Sequence, residues 1–195
     1  MIQEFNRSLL LWFNSLVEYP YIEFFSPVMA DLPIFFLPFF LIISWLYYNY
    51  KKQDHQKEVL LFLFYSCLLA IIINLSLQQF ISLERPENAL EGAGKVLLQK
   101  LPSASFPSDH AAVSVAFLVS LFLFAYKKTF YSFLPFVILM NLSRVIVWVH
   151  WPFDILWGMI TGFISSFFSY HILVENKLVK KTNSFIIKTI RIFKL

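Results

Sequence analysis

Long apolar segments separated by short charged ones are the feature of this sequence that most constrains its fold. Hydrophobic residues make up 58% of the chain and charged residues only 14%, which leaves too few polar groups to coat a soluble domain. A helix of about 20 apolar residues crosses the ~30 Å of membrane hydrocarbon. The sequence therefore predicts an all-α integral membrane helix bundle, with spans at 32–50, 59–83, 110–126, 130–149 and 153–174.

The N-terminal region predicts a helix of a different kind. Residues 9–17 form an apolar patch bounded by charged residues, which is short for a span and typical of a helix at the membrane interface. A tilted crossing through 21–29 remains open, so we expect five to six transmembrane helices and an N-terminal interfacial helix. No basic region precedes an apolar core here, so we expect no signal peptide. We expect 1–195 to form a single membrane-embedded domain with its core motifs in 78–154.

Basic residues follow the first, third and fifth predicted spans, which indicates the orientation of the chain. With five alternating spans, all three clusters lie on one side, and the positive-inside rule places that side in the cytoplasm. We expect the tail at 176–195 to be a basic amphipathic helix on the cytoplasmic leaflet. The net charge of +4 therefore indicates membrane lipids, and no nucleic acid, as partners. The clusters are Lys51, Lys52 and Lys57, then Lys127 and Lys128, then the cations of the tail.

Three polar segments at the opposite, outer ends of the spans carry residues suited to chemistry. The first follows one span, the second begins the next, and the third surrounds the turn between the last two. We therefore expect residues far apart in the sequence to meet at one depth on one face. The segments are Arg85-Pro86, then Pro107-Ser108-Asp109-His110, then Ser143-Arg144 followed by His150 and Asp154.

The cationic and helix-start residues among them suit the binding of a phosphate group. Arg85 and Arg144 are permanent cations whose planar forks match phosphate oxygens. A charge as deep in a span as Arg144 is a functional-site hypothesis by default. Ser108 and Asp109 mark a helix start, where backbone N–H groups attract an anion.

The remaining residues suit catalysis. His110 and His150 have the chemistry of a nucleophile and an acid, and Asp154 can hold one imidazole in a fixed tautomer. Each polar residue also has an ordinary interpretation, as a snorkelling arginine, an N-cap, a first-turn acid or part of an aromatic belt. Their convergence at one predicted face favours a phosphate site. Closely paired metal ligands do not accompany them in the sequence, so we expect no metal and no cofactor.

The three segments resemble the signature of the type-2 phosphatidic acid phosphatase superfamily. The third motif is complete, the second has Asp109 where the family has glycine, and the first has Gln78 where the family has lysine. By resemblance, His150 is the nucleophile that forms a phosphohistidine, Asp154 orients it, and His110 protonates the leaving oxygen. The residues implied to bind phosphoryl oxygens are Arg85, Arg144, Ser108 and the backbone at Asp109.

The two departures from the family pattern concern the phosphate site. Without the lysine one phosphate cation is missing, and we expect Gln78 to donate a neutral hydrogen bond in its place. Lys95 or Lys100 is the alternative source of a cation. Asp109 adds a negative charge, so its side chain is expected to point away from the substrate or to cap its helix. Both departures resemble the bacterial undecaprenyl-diphosphate phosphatase branch of the family.

That resemblance implies hydrolysis of undecaprenyl diphosphate to undecaprenyl phosphate and phosphate, in recycling of the lipid carrier for cell-wall synthesis. The expected location is the bacterial plasma membrane, with the site facing outside or the periplasm. Three alternatives stay open. They are a phosphatase of lipid A, phosphatidylglycerol phosphate or phosphatidic acid, a non-catalytic lipid-phosphate binder or transporter, and a haloperoxidase.

Overall fold

The computed structural model describes residues 1–99 and 104–192, apart from the side chains of 32, 33 and 192. Across these residues the regular secondary structure is helical, which confirms the predicted all-α bundle. Lys100 and the end of the predicted tail, 193–195, lie outside the described residues. The helices are α1 (Ile2–Ser15), α2 (Pro20–Tyr50), α3 (Asp54–Phe80), α4 (Pro86–Ala89), α5 (Asp109–Leu123), α6 (Lys127–Ile146), α7 (Pro152–Phe168) and α8 (Lys177–Ile192), with a 3-10 turn at Leu16–Glu18 and a π turn at Ser169–Leu173.

Each of the five predicted spans coincides with one of these helices. α3, α6 and the unbroken stretch Pro152–Leu173 are long and apolar enough to cross a membrane. The halves of α2, Pro20–Asp31 and Ile34–Tyr50, are bent by 48° and form a fourth crossing if taken together. α5, at Asp109–Leu123, is apolar but shorter. Residues 21–29 belong to the first half of α2, so they extend the first predicted span and do not form a separate sixth crossing.

The bend in α2 coincides with Pro33. Proline has no N–H to donate within a helix, so it removes a hydrogen bond and kinks the helix. The residues just before the bend lie beside α6, where the Ala30 carbonyl and the Asp31 carboxylate both accept from Arg144. The segment of α2 before the bend therefore lies against the end of α6.

α5 is the central helix of the bundle and packs against α3, α6 and α7. Glycines on α7 allow the closest of these contacts. A methyl group added at Gly158 would collide with the Ser108 carbonyl, and one added at Gly162 would collide with the Ala112 carbonyl. Small residues permit this close approach of helices in membranes. The starts of α5 and α7 consequently touch, and the Ser108 N–H donates to the Asp154 carbonyl at 3.0 Å.

The two ends of the bundle carry different polar residues. At one end α8 lies against α3, where Arg191 pairs with Asp54 and the Tyr65 hydroxyl donates to Asn183 at 2.7 Å. The predicted lysine clusters lie at this end. At the other end α1 packs against the turn between α6 and α7, with Leu10 fully buried. The three polar motifs lie at the α1 end.

Candidate active site

Helix ends meet at the α1 end of the bundle and gather the residues that the sequence analysis singled out. Arg85 lies beyond the end of α3, Ser108 precedes α5, and Arg144 lies in the last turn of α6. Asp154 lies in the first turn of α7, and His150 lies in the turn between α6 and α7. The predicted convergence of distant segments is therefore present in the fold.

His150 is the centre of the cluster and is only 3% exposed. Its Nε2 lies 3.2 Å from Arg144 Nη2 and 3.5 Å from Arg85 Nη1. Its Nδ1 lies 3.4 Å from Asp154 Oδ2. Arginine can only donate hydrogen bonds, so Nε2 presents its lone pair to the guanidinium groups. Nδ1 then carries the proton, on the side of the ring that faces the carboxylate.

The turn that carries His150 is held tightly. Trp148 is fully buried and has a φ of 71°, a left-handed conformation that bulky residues rarely adopt. Arg85 Nη1 donates to the Val149 carbonyl at 3.0 Å. The backbone N–H of His150 donates to the Arg144 carbonyl at 3.3 Å. The phosphate-binding candidates thus also fix the position of the imidazole.

Asp154 is oriented by two donors and is only 1% exposed. The Trp151 backbone N–H donates to Asp154 Oδ2 at 2.9 Å, and the Ser105 hydroxyl donates to the same oxygen. Ser105 Oγ also lies 3.5 Å from His150 Nδ1. Sequence reasoning missed Ser105, because a serine in a loop just ahead of a motif carries no distinguishing signal.

Arg85 brings a permanent cation into the cluster from the loop after α3. Its Nη2 donates to the Ala104 carbonyl at 3.4 Å. Burial lowers the pKa of Arg85 from its ordinary value, and the neighbouring Glu87 carboxylate acts against that change. A guanidinium remains protonated far above neutral pH, so Arg85 stays cationic beside His150.

Ser108 and Arg144 each bring a buried donor to the site. Ser108 Oγ and Arg144 Nε find no hydrogen-bond partner among the residues that the structure describes. Ser108 is fully buried and Arg144 is 2% exposed. Buried polar atoms are normally satisfied, so both donors suit the oxygens of a bound phosphate.

Asp31 is a second residue that sequence reasoning missed. Its Oδ1 lies 2.6 Å from Arg144 Nη1 and 3.4 Å from His110 Nε2. The predicted first span begins at residue 32, so Asp31 lies just outside it. A carboxylate inside a span is a functional-site hypothesis, but one directly before a span carries no such signal.

His110 joins the cluster from the first turn of α5. The side chain is 25% exposed. An apolar cavity of about 530 Å³ between α2, α3 and α5 ends at His110 and Asp109. His110 therefore lies between that cavity and the cluster of arginines.

Gln78 and Asp109, the two departures from the family pattern, are bound to each other. Gln78 Nε2 lies 3.2 Å from Asp109 Oδ1, and Asn74 Nδ2 lies 3.0 Å from the same oxygen. Gln78 also donates to the Pro107 carbonyl at 3.3 Å. The Asp109 side chain therefore points towards α3. This direction agrees with the expectation that it points away from the substrate. Phosphate binding by Gln78 stays a prediction, because its amide contacts the start of α5.

Lys95 and Lys100 are the lysines that the sequence offers as alternative cations for the phosphate site. Lys95 Nζ forms an ion pair with Glu23 Oε1 at 2.6 Å. The Lys95 backbone is held by Asn14, which donates to its carbonyl at 2.9 Å and accepts from its N–H at 2.8 Å. Lys95 is therefore committed to α1 and α2, while Lys100 lies outside the described residues.

A helical membrane bundle with histidines, arginines and a carboxylate gathered at one end defines the class of integral membrane lipid phosphatases. The particular family follows from a comparison with family models. The model of the PAP2 superfamily matches residues 58–178, and the chain belongs to this superfamily of phosphatases.

Curated relatives and solved structures are similar over most of the chain. Bacitracin transport permease protein BcrC of Bacillus licheniformis is 26% identical over 86% of this chain and 80% of its own length. Putative undecaprenyl-diphosphatase YbjG of Escherichia coli is 23% identical over 84% of this chain and 80% of its own length.

The solved structures share the fold. Aquifex aeolicus LpxE has a TM-score of 0.66 at 23% identity, covering 85% of this chain and 94% of its own. The transmembrane PAP2-type phosphatidylglycerolphosphate phosphatase of Bacillus subtilis has a TM-score of 0.68 at 23% identity, covering 90% of this chain and 88% of its own.

Proposed function

We propose that this protein hydrolyses undecaprenyl diphosphate to undecaprenyl phosphate and phosphate, through a phosphohistidine formed at His150. The observation that carries the proposal is the setting of this imidazole. Its Nε2 faces the guanidinium groups of Arg85 and Arg144, and its Nδ1 faces the Asp154 carboxylate. A nucleophile activated by a carboxylate and placed beside fixed cations suits attack on a phosphoryl group.

In the first step, the Nε2 lone pair of His150 attacks the terminal phosphorus. The bond from phosphorus to the leaving oxygen breaks, its electron pair moves to that oxygen, and His110 supplies the proton. Asp154 stabilises the positive charge that develops on the His150 ring. The arginines and the Ser108 hydroxyl bind the phosphoryl oxygens as charge redistributes.

The second step restores the enzyme. Water attacks the phosphorus of the phosphohistidine and gives a proton to His110, which now acts as a base. The bond between phosphorus and nitrogen breaks, and its electron pair returns to His150. Inorganic phosphate leaves, and both histidines regain their initial protonation states.

A long lipid tail is supported by apolar space next to His110. The cavity of about 530 Å³ that ends there shares Leu41, Ile42 and Phe64 with a second apolar cavity of about 440 Å³ further along α2. A tail lying in this space leaves its phosphates at the cluster. The name of the relative YbjG, a putative undecaprenyl-diphosphatase, supports a polyprenyl tail.

The proposed location is the bacterial plasma membrane, with the site on the outer or periplasmic face. The lysine clusters that indicate the cytoplasmic side belong to the α8 end of the bundle, whereas His150 lies at the other end. The positive-inside rule then directs the site outwards.

A non-catalytic lipid-phosphate binder or transporter is the second candidate. The relative BcrC is named a bacitracin transport permease protein, and Gln78 takes the place of a phosphate cation in the family pattern. Such a protein needs the arginines for binding but has no use for a nucleophile at His150.

Phosphate release by the purified protein in detergent tests the proposal, with undecaprenyl diphosphate compared to phosphatidylglycerol phosphate, lipid A and phosphatidic acid. We expect the highest kcat/KM for undecaprenyl diphosphate and no change on adding a chelator. His150→Ala should lower kcat on the order of 1,000-fold, because it removes the nucleophile. His171→Ala, a histidine of the π turn at the other end of α7, is the matched control and should retain activity.

Each alternative outcome has a definite meaning. A preference for a glycerolipid monophosphate would replace the proposed substrate while keeping the reaction. Phosphate release that survives His150→Ala would exclude the phosphohistidine mechanism. Binding of undecaprenyl diphosphate without any phosphate release would establish the binder or transporter.

A further inference from the structure

Asp31 of α2 lies at the site but outside all three motifs. Its Oδ1 is 2.6 Å from Arg144 Nη1 and 3.4 Å from His110 Nε2. One carboxylate therefore contacts both a cation suited to phosphate and an imidazole suited to acid catalysis. These two partners come from different helices, α6 and α5.

On the arginine side, α2 accepts two hydrogen bonds from one nitrogen of the Arg144 guanidinium. Nη1 donates to the Ala30 carbonyl at 3.1 Å and to Asp31, while Nη2 lies 3.2 Å from His150 Nε2. Because a guanidinium is planar and rigid, fixing Nη1 also fixes the direction of Nη2. A buried cation also needs a nearby counter-ion, and Asp31 supplies it.

On the histidine side, the contact has the length of an ion pair. At 3.4 Å it is longer than the about 2.7–3.2 Å of a strong hydrogen bond. The carboxylate offers the protonated ring a counter-ion, and an oxygen of a substrate can still compete for the same proton. Such a contact can orient an acid without withholding its proton.

The end of the first half of α2 carries both of these contacts. The helix is bent by 48° between Asp31 and Ile34, and the segment before the bend lies beside α6. Ala30 is fully buried there, while the Asp31 side chain is 25% exposed. The carboxylate therefore reaches the site from the side of α2 and is not fully enclosed by the protein.

We propose that Asp31 is a positioning residue of the phosphatase reaction, holding His110 and Arg144 in a fixed mutual orientation. The inference rests on the proposed function and adds a residue to its machinery. A carboxylate repels a phosphate, so Asp31 does not bind the substrate and acts through its two neighbours.

Two substitutions separate the two contacts. Asp31→Asn keeps a side-chain oxygen that accepts from Arg144 but removes the negative charge facing His110. Asp31→Ala removes both. Asp54→Asn is the matched control, because Asp54 also carries ion pairs, with Lys57 and Arg191, but lies at the opposite end of the bundle.

The readout is the dependence of kcat on the leaving group. A long-chain alkyl phosphate needs a proton on its leaving oxygen, whereas p-nitrophenyl phosphate has a leaving group that is stable as an anion. We expect Asp31→Asn to lower kcat at least about tenfold for the alkyl phosphate and less than about threefold for p-nitrophenyl phosphate. Asp31→Ala should lower kcat and raise KM for both, and Asp54→Asn should change neither.

If Asp31→Asn lowers kcat equally for the two substrates, or does not lower it, the inference is overturned. A merely structural role would lower both kcat values alike, because it does not depend on the leaving group. Thermal unfolding identifies a variant that is misfolded. Asp31→Glu, which keeps the charge, should then restore the wild-type ratio of the two kcat values, and a failure to do so would also overturn the inference. A wild-type protein that releases no phosphate from any lipid phosphate would remove the proposed function as well.

Discussion

At the scale of residues, the two nitrogens of His150 have opposite surroundings. Nδ1 faces Asp154 and Ser105, whereas Nε2 faces two guanidinium groups. This polarity selects one tautomer and one reactive atom without any contribution from a bound substrate. The buried Ser105 hydroxyl supports it by donating to Asp154.

Removing the Ser105 hydroxyl tests this support. Ser105→Ala removes one of the two donors to the Asp154 carboxylate among the described residues and should cost about 1 kcal/mol in the transition state, or roughly fivefold in kcat, with little change in KM. Ser132→Ala is the control, because Ser132 is exposed and its hydroxyl donates to the Lys128 carbonyl of its own helix. Steady-state kinetics on one lipid phosphate would contradict this account if Ser105→Ala left kcat unchanged.

A second feature at the residue scale is the pairing of Gln78 with Asp109, because the presence of each residue accounts for the presence of the other. The family has a lysine and a glycine at these positions, and here a neutral amide donates to a carboxylate. Asn74 donates to the same oxygen and accepts from Thr161 at 2.8 Å. The additional negative charge is therefore held by two amide donors of α3.

At the scale of elements, the contact between α5 and α7 aligns the site. Gly158 faces the Ser108 carbonyl without a side chain between them. Ser108 and His110 lie at the start of α5, and Asp154 lies at the start of α7. A separation of these helices would therefore move Ser108 and His110 away from Asp154. Backbone packing, and not a loop, sets the distance between them.

Gly158→Ala should disturb both stability and catalysis. The added methyl group meets the backbone of α5, and overpacking of this kind costs about 1–3 kcal/mol. We expect a lower Tm in detergent and a kcat reduced about tenfold, because the start of α5 is displaced. Ile164→Ala changes a lipid-facing residue of the same helix that is 52% exposed and should alter kcat little. A Gly158→Ala protein with wild-type Tm and kcat would exclude this role for the helix contact.

At the scale of the whole molecule, the sequence was enough to predict the bundle and the convergence of its helix ends. Apolar runs and lysine clusters determine which segments are buried in lipid, and alternation then places the three motifs at one end. Asp31 could not be predicted in this way, because it is 113 positions from Arg144 in the sequence. Its contacts depend on how α2 packs against α6 and α5, which a hydropathy pattern does not contain.

The central claim is that this end of the bundle forms a covalent phosphohistidine at His150. Rapid quenching in alkali, after mixing with undecaprenyl diphosphate labelled in its terminal phosphate, measures this directly. We expect acid-labile, alkali-stable label on the peptide that contains His150 in the wild-type protein, and none in His150→Ala. Label on a different residue, or label undiminished in His150→Ala, would contradict the account.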